Sequence, residues 1–300
     1  MSEPLPLVDR VGRSLLGPCG VSPADRVLVA CSGGMDSTVL LDLLVSLQHR
    51  LSLDLHVATV DHGLREGSRT EAETVGADCQ VLDLSWRRLP VEVTDAEIRR
   101  VGPESAARAA RYAALEGEAD RIGASAIALA HHRDDQAETV LMRALVGAGT
   151  RGLAAMRPRS GRRIRPLLGV ARTELADHAA GRGLRWTEDP SNRDPRYLRN
   201  ALRHRLLPAA VEVVGPSAAA QLARLAERAA TDEELLESLA RDLADGARDG
   251  DGLAVGTLCK AHPALQLRAL GDLARSVAPD VRLGAAHLEA ARRLLEGPDR

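Results

Sequence analysis

Phenylalanine is absent from the 300 residues, and two Trp and two Tyr are the only aromatic side chains, so the core must be built from Leu, Val, Ala and Ile. Lysine is nearly absent too: of 40 basic residues, all but Lys260 are arginine. With abundant alanine, that skew points to a GC-rich coding sequence, so bulk arginine alone is no argument for nucleic acid. The shortage of lysine excludes a Walker-type phosphate loop, which requires G-x-x-x-x-G-K-[ST]. Cys19, Cys31, Cys79 and Cys259 lie far apart with no C-x-x-C, against a zinc site, an iron–sulfur site or a disulfide framework. No stretch approaches the roughly 20 apolar residues of a membrane span. No signal-peptide pattern opens the chain, so a bacterial cytoplasm and no membrane partner are the expectations.

The net charge of −2 hides an asymmetry. Residues 1–149 carry 15 basic against 22 acidic side chains, residues 150–210 carry 14 against 5, and residues 211–300 carry 11 against 15. A basic segment between acidic ones is the footprint of a polyanion-binding face, or of a solvated arginine-rich loop region.

Apolar runs alternate with helical patterns through the first half. Arg26–Cys31, Leu53–Val60, Gln80–Trp86 and Ala126–Ala130 read as strands. Ser37–Gln48, with Val39, Leu40, Leu43, Leu44 and Leu47 on one face, reads as a helix, as do Arg69–Ala77, Ser105–Ile122 and Asp134–Val146. The alternation predicts an α/β fold, a doubly wound parallel sheet whose ligands sit at the carboxyl ends of the strands. Ser32-Gly33-Gly34, Asp61-His62-Gly63 and His131-His132 all fall there. From Gly147 to Pro208 the chain reads as irregular and basic. Helical runs follow at Ala218–Leu243 and Gln266–Leu295, joined by the turn-prone "DGARDGDG", Asp245–Gly252. The expected organisation is a catalytic domain over 1–210 and a smaller α-helical region over 211–300.

The stretch "VLVACSGGMDST", Val27–Thr38, admits several readings. Ala30–Gly34 fits the A-x-S-x-G form of a hydrolase nucleophile elbow, but too little chain precedes it to supply the earlier strands that elbow needs. A plain strand-to-helix turn is another reading. The third is an anion cradle: two glycines turn backbone N–H groups inward, Ser32 and Ser37 add hydroxyls, and the helix N-terminus favours negative charge. Asp36 suits a phosphate site only with Mg²⁺ between them.

Ser-Gly-Gly-Met-Asp-Ser after a strand resembles the signature of the PP-loop ATP pyrophosphatases. The segments "VDHGLR" (Val60–Arg65), "ESAARAARY" (Glu104–Tyr112), "HHRDDQAET" (His131–Thr139), "GAGTRGLAAM" (Gly147–Met156), "RPLL" (Arg165–Leu168) and "DPSNRDPRYLRNALRHRLLP" (Asp189–Pro208) follow in order. Together they resemble the tRNA(Ile)-lysidine synthetase family over about two-thirds of the chain. The resemblance implies a PP-loop, adenine-nucleotide α-hydrolase-like fold and a two-step reaction. ATP with Mg²⁺ adenylates the wobble cytidine of tRNA(Ile) bearing a CAU anticodon, releasing pyrophosphate. The L-lysine side-chain amine then displaces AMP. Longer family members add a further C-terminal domain that helps hold the tRNA, and the helices from residue 211 are a candidate tRNA contact.

The residues assigned on that basis each have a plainer reading as well. Ser32, Gly33, Gly34, Met35, Asp36 and Ser37 would cradle the nucleotide, with Asp36 on the metal. Asp61 and His62 would border the adenosine, or simply end a strand. His131 and His132 with Asp134, Asp135 and Glu138 could be a metal cluster, or the acidic first turn of a helix. Asp135 and Glu138, at i and i+3, share a helix face; the resemblance gives them the substrate lysine and places His131 close to the nucleotide. Arg108 is implied as a contact to the cytidine or its phosphates, and Arg111 with Tyr112 as support. Arg199 and Arg203, at i and i+4 if helical, can each grip phosphate bidentately, beside Asn192 and Asn200 in the basic stretch. Arg108, Arg199 or Arg203 would offset developing charge; Asp135, Glu138 or His131 could take the amine proton. The Gly147–Gly152 segment matches G-x-G-x-x-G but follows a helix, so a dinucleotide fingerprint is excluded and a flexible glycine loop expected. The rival readings are a tRNA-thiolating relative, which would require suitably placed cysteines, and a nucleotide-binding module without chemistry.

Overall fold

Val27, Leu28 and Val29 are completely buried, which places the first strand in the interior of its sheet. The computed structural model describes residues 5–61, 68–187, 198–278 and 283–295. They divide into two compact units, one of residues 1–147 with 155–224, the other of residues 148–154 with 225–300. The division falls within one long helix, 218–246, and assigns a short loop segment after residue 147 to the second unit.

In chain order the first unit contains α1 (Leu7–Leu16), β1 (Arg26–Ala30), α2 (Met35–Leu51), β2 (Asp54–Asp61), α3 (Ser68–Val81), β3 (Ser85–Pro90), α4 (Asp95–Val101), α5 (Pro103–Ile122), β4 (Ala126–Ala128) and α6 (Arg133–Leu145). After α7 (Thr150–Leu153), which goes with the second unit, come β5 (Arg159–Ser160), β6 (Arg163–Ile164), α8 (Arg172–Arg182), α9 (Leu198–Ala201), a π turn at Leu202–Leu206, and α10 (Leu207–Val214). The sheet order is β3-β2-β1-β4-β6-β5; every pairing is parallel except β5 with β6 at the edge. Alternation along the strands splits the core in two. Val27, Val29, Ala126, Ala128 and Ile164 face α1, α2 and α8, while Leu28, Ala58, Ile127 and Leu129 face α5. On α2 the stripe Val39, Leu40, Leu43, Leu44 and Leu47 is wholly buried, each leucine contributing roughly 2 kcal/mol by leaving water.

The predicted strand at Gln80–Trp86 is displaced. Gln80 and Val81 finish α3, whose buried face carries Ala72, Val75 and Cys79, and the chain turns through Asp83 at φ 53° before β3 begins at Ser85. The helix pattern simply ran further than Ala77. Trp86 then packs against Gly76, where a Cβ would lie 2.8 Å from the ring, and donates its indole N–H to Thr59 Oγ1 at 3.0 Å. The 147–208 segment is also more regular than expected: it holds α7, the β5–β6 hairpin and α8, which carries buried Leu175 and Ala179. The π turn precedes Pro208, which lacks the amide that an α-helix would donate to the His204 carbonyl, so the winding widens there.

The second unit is built on α11 (Ala218–Gly246), a small hairpin of β7 (Arg248–Asp249) and β8 (Gly252–Leu253), α12 (Val255–Leu258), α13 (Pro263–Val277) and α14 (Ala285–Leu295). The run read as one helix over Gln266–Leu295 is therefore two, α13 ending at Val277. Its glycine-rich segment 148–154 is anchored. Thr150 Oγ1 donates to Glu233 Oε2 at 2.8 Å, and Arg268 Nε reaches Glu233 Oε1 at 3.1 Å, with Glu233 only 1% exposed. Truncation by Glu233→Ala leaves the Arg268 guanidinium, which is mostly buried, without its carboxylate. We expect a loss of about 3 kcal/mol, read as faster amide hydrogen exchange in α7 and α13. No single helix among the described residues is long and apolar enough to cross a membrane.

Candidate active site

At the carboxyl end of β1 the chain leaves the sheet through Ser32, Gly33 and Gly34 and enters α2. Gly33 adopts φ +80°, and a Cβ there would press on Val75 at 3.2 Å, so the position requires glycine. The Ser37 hydroxyl organises the turn: it donates to Gly34 O at 2.9 Å, accepts from Ser32 N at 3.1 Å and lies 3.2 Å from Ser32 Oγ. Thr187 N donates to Gly33 O at 2.9 Å, which pins the segment after α8 to the loop. Met35 and Asp36 occupy the first turn of α2, where the helix dipole favours an anion.

Asp36 Oδ1 is buried without a hydrogen-bond partner, with Arg172 Nε 4.0 Å away, and Oδ2 lies 3.5 Å from His132 Nε2. An unmatched carboxylate oxygen at a phosphate cradle is the donor a hard divalent cation takes. Mg²⁺ is commonly held by one or two carboxylates together with substrate phosphates. Among the described residues no group of three metal-ligating side chains exists, so Asp36 fits a cation that shares its ligands with a nucleotide.

At the end of β4 sit the two histidines. His132 caps α6: its Nδ1 accepts from Asp135 N at 3.4 Å, and Asp135 Oδ2 accepts from His132 N at 3.0 Å. Burial opposes protonation of His132, but Asp36, Asp135 and Asp134 outweigh it and raise its pKa. The N-cap role of His132 is signalled in the sequence by its place directly before the acidic first turn, Asp134-Asp135. His131 is the opposite case. Burial, assisted by Arg165, Arg199 and Arg108 against Asp135, pushes its pKa down to about 3, and its Nδ1 has no partner. It is a neutral hydrogen-bonding group at pH 7. Because the folded value lies below the unfolded one, its contribution to stability is complete above about pH 6.5 and is lost as pH falls towards 3. Between pH 7 and 5 the protein should lose about 2 kcal/mol more stability than His131→Asn, measured by denaturant unfolding of both.

Asp135 and Glu138 do share one face of α6, both buried, and each meets both arginines of the 198–206 helix. Arg199 Nε donates to Glu138 Oε2 and its Nη2 to Asp135 Oδ1, each at 2.9 Å. Arg203 Nε donates to Glu138 Oε1 at 2.6 Å and its Nη2 to Asp135 Oδ1 at 2.9 Å. The two groups assigned separately from sequence, acids for a cation and arginines for phosphate, thus neutralise one another. Burial raises the Asp135 carboxyl, but the charges of His132 and Arg199 and the hydrogen bond from His132 N prevail and hold it low.

A cavity of about 890 Å³ joins these parts, lined among others by Ser32, Asp36, His131, Asp135, Arg199 and Arg203. Met35, Gly34, Ser37, Arg111 and Asn200 also line it, with Glu71, Arg172, Trp186, Thr187 and His204, which the sequence did not single out. Asp61 is buried at the end of β2 and accepts from Arg88 Nη1 at 2.8 Å; it does not line the cavity. Arg108 is exposed on α5 and stacks on Tyr112. His62, Asp189 and Asn192 lie outside the described residues. Cys31, beside the loop, is buried and its thiol is raised by burial, and burial pushes Cys79 up to about 12. Neither is a thiolate at neutral pH, so neither supplies a cysteine nucleophile beside the loop.

A strand-end glycine cradle at the centre of this sheet order defines the class, and residues 8–210 match the PP-loop domain model. The chain is 42% identical to the tRNA(Ile)-lysidine synthase of Streptomyces coelicolor, covering 93% of this chain and 80% of that one. It is 40% identical to that of Thermobifida fusca over 98% of this chain and 91% of the relative. The one from Geobacter sulfurreducens is 41% identical over 91% of this chain and 60% of its own length. The chain belongs to the tRNA(Ile)-lysidine synthase family. The U34-tRNA thiolase NcsA of Methanococcus maripaludis, a solved structure, shares the fold with a TM-score of 0.62 at 21% identity, covering 74% of this chain and 77% of the other.

Proposed function

We infer that this protein is an ATP-dependent carbon–nitrogen ligase that joins L-lysine to the 2-position of the wobble cytidine in tRNA(Ile) carrying a CAU anticodon, forming lysidine. The observation that carries this reading is a single cavity with a phosphate cradle at Ser32–Ser37 and the buried Asp135–Glu138–Arg199–Arg203 quartet. One part suits a triphosphate; the other offers both signs of charge to an amine and a phosphate.

ATP docks with its phosphates on the loop amides and the α2 N-terminus. Mg²⁺, held by Asp36 when bound, would neutralise charge on the phosphates. The cytidine 2-carbonyl oxygen attacks the α-phosphate, pyrophosphate leaves, and the lysine amine then displaces AMP. Protein groups act here by positioning and by preformed electrostatics. Arg199 and Arg203 turn to the anionic α-phosphoryl group, which frees Asp135 and Glu138 for the ammonium of lysine. His131, with a pKa near 3, offers a neutral imidazole and does not hold the amine proton. Asp135 or Glu138 receives it.

Mixing the protein with ATP, Mg²⁺, labelled lysine and tRNA(Ile) bearing CAU should give lysine-labelled tRNA and one AMP per lysine incorporated. AMP release that depends on tRNA but leaves no lysine in the RNA would overturn the reading.

A further inference from the structure

Four arginines crowd around one tyrosine ring on the α5 face of the sheet, and the reaction outlined above gives two of them no work. The guanidinium carbons of Arg108, Arg111 and Arg163 lie 5.3, 5.2 and 4.8 Å from the centroid of Tyr112. Arg163 and Arg165 alternate with Ile164 along and just beyond β6; Ile164 enters the core on the α2 side, so both arginines turn towards α5. Arg165 is only 6% exposed, and its Nη1 donates to Arg157 O at 2.8 Å. Burial, together with Arg163 and Arg108, lowers its pKa against the opposing effect of Tyr112.

Acidic compensation is nearly missing. Glu116 Oε1 lies 3.4 Å from Arg163 Nε, and no other carboxylate forms an ion pair with Arg108, Arg111, Arg163 or Arg165 among the described residues. Arg165 Nε and His131 Nδ1 are buried with no hydrogen-bond partner, and Arg163 Nε has only the Glu116 contact at 3.4 Å. Buried polar groups are nearly always paired, and an unmatched set of donors beside uncompensated positive charge calls for an anion. Stacking on Tyr112 holds the guanidinium planes in place without consuming their N–H donors.

The anion's source follows from the sheet order. The triphosphate cradle lies at the end of β1, whereas β6 is two strands away, roughly 10 Å. His131, at the end of the intervening β4, lies within electrostatic reach of Arg165, Arg108 and Arg199, and Arg111 lines the catalytic cavity. An anion here adjoins the reacting base without coinciding with the nucleotide phosphates. We propose that Arg163 and Arg165, with Arg108 stacked on the same Tyr112 ring, form a phosphodiester-binding subsite that grips the RNA backbone next to the nucleotide being modified. The subsite deepens the reading above and rests on it.

The test uses the full chain and a fluorescein-labelled anticodon stem-loop of tRNA(Ile) with CAU, titrated over a range of salt, alongside calorimetry with Mg·ATP alone. Arg163→Gln should weaken RNA binding about tenfold and flatten the log–log salt dependence by about 0.7 to 0.9. Its affinity for Mg·ATP should stay within about twofold of the parent. Glu116→Gln, which removes the one nearby carboxylate, should tighten RNA binding about two- to threefold, a gain that a damaged fold does not produce. Unchanged RNA affinity and salt slope in Arg163→Gln, no tightening in Glu116→Gln, or a loss confined to ATP would each overturn the subsite. A parent protein that binds this RNA but incorporates no lysine sinks the reading of function and leaves the subsite standing. One that incorporates lysine while Arg163→Gln binds RNA normally sinks the subsite alone.

Discussion

Asp36→Asn is expected to reduce tRNA-dependent AMP formation by about a thousandfold, the scale seen when a group that stabilises transition-state charge is removed. Asp36 sits in the first turn of α2, inside the phosphate cradle, where an anion on the protein should repel the substrate. Its Oδ1 nevertheless has no hydrogen-bond partner and only the Arg172 Nε at 4.0 Å for a cation, while Oδ2 lies 3.5 Å from His132 Nε2. A buried carboxylate oxygen left in that state is costly unless a cation completes it. The amide of Asn preserves the shape and removes the charge. Because the Asp36 side chain is 30% exposed and its contacts to His132 and Arg172 are long, 3.5 and 4.0 Å, the variant should melt near the parent. Steady-state AMP release, with Mg²⁺ varied at fixed ATP, checks the effect. A variant retaining more than about a tenth of parental activity removes Asp36 from the chemistry.

How far the sequence revealed this site depended on how local each signal was. The cradle was legible because strand, glycines and helix are contiguous, and the stripe from Val39 to Leu47 had a helical period that tertiary packing did not override. The shared face of Asp135 and Glu138 followed from spacing on a helix whose start was visible. β5 and β6, two residues each, have no period to read, so the hairpin that carries Arg163 was invisible. α8 is hard to read for a different reason: within a stretch rich in glycine, proline and charge it buries only Leu175 and Ala179, four apart on one face. α4 has a local signal, the Thr94–Glu97 capping box. What no local pattern could provide is the meeting of Arg199 and Arg203 with Asp135 and Glu138, more than sixty residues apart in sequence. Each pair invited a partner from outside the protein; the fold gives them each other.

In the reaction proposed above, that pairing singles out Glu138 as the residue expected to separate the two half-reactions. Two carboxylates and two guanidinium groups form a neutral quartet, with the Glu138 side chain 2% and that of Asp135 10% exposed. A lysine ammonium can replace an arginine only if that arginine finds another anion, and the α-phosphoryl group of the adenylated base is one. The quartet therefore orders the proposed reaction: adenylation first, amine second. Glu138→Gln keeps the volume and half of the hydrogen-bonding capacity but removes one charge, which loosens Arg199 and Arg203 and weakens the ammonium site. Formation of adenylated RNA in a single turnover without lysine should stay within about threefold of the parent, while the KM for lysine rises about a hundredfold, the cost of truncating a buried charge partner. Glu138→Ala is the poorer probe, because it strands two buried arginines and invites unfolding. Equal losses in both half-reactions would make the quartet a scaffold that sets the angle between α6 and the 198–206 helix. A selective loss in the lysine step assigns Glu138 to the amine.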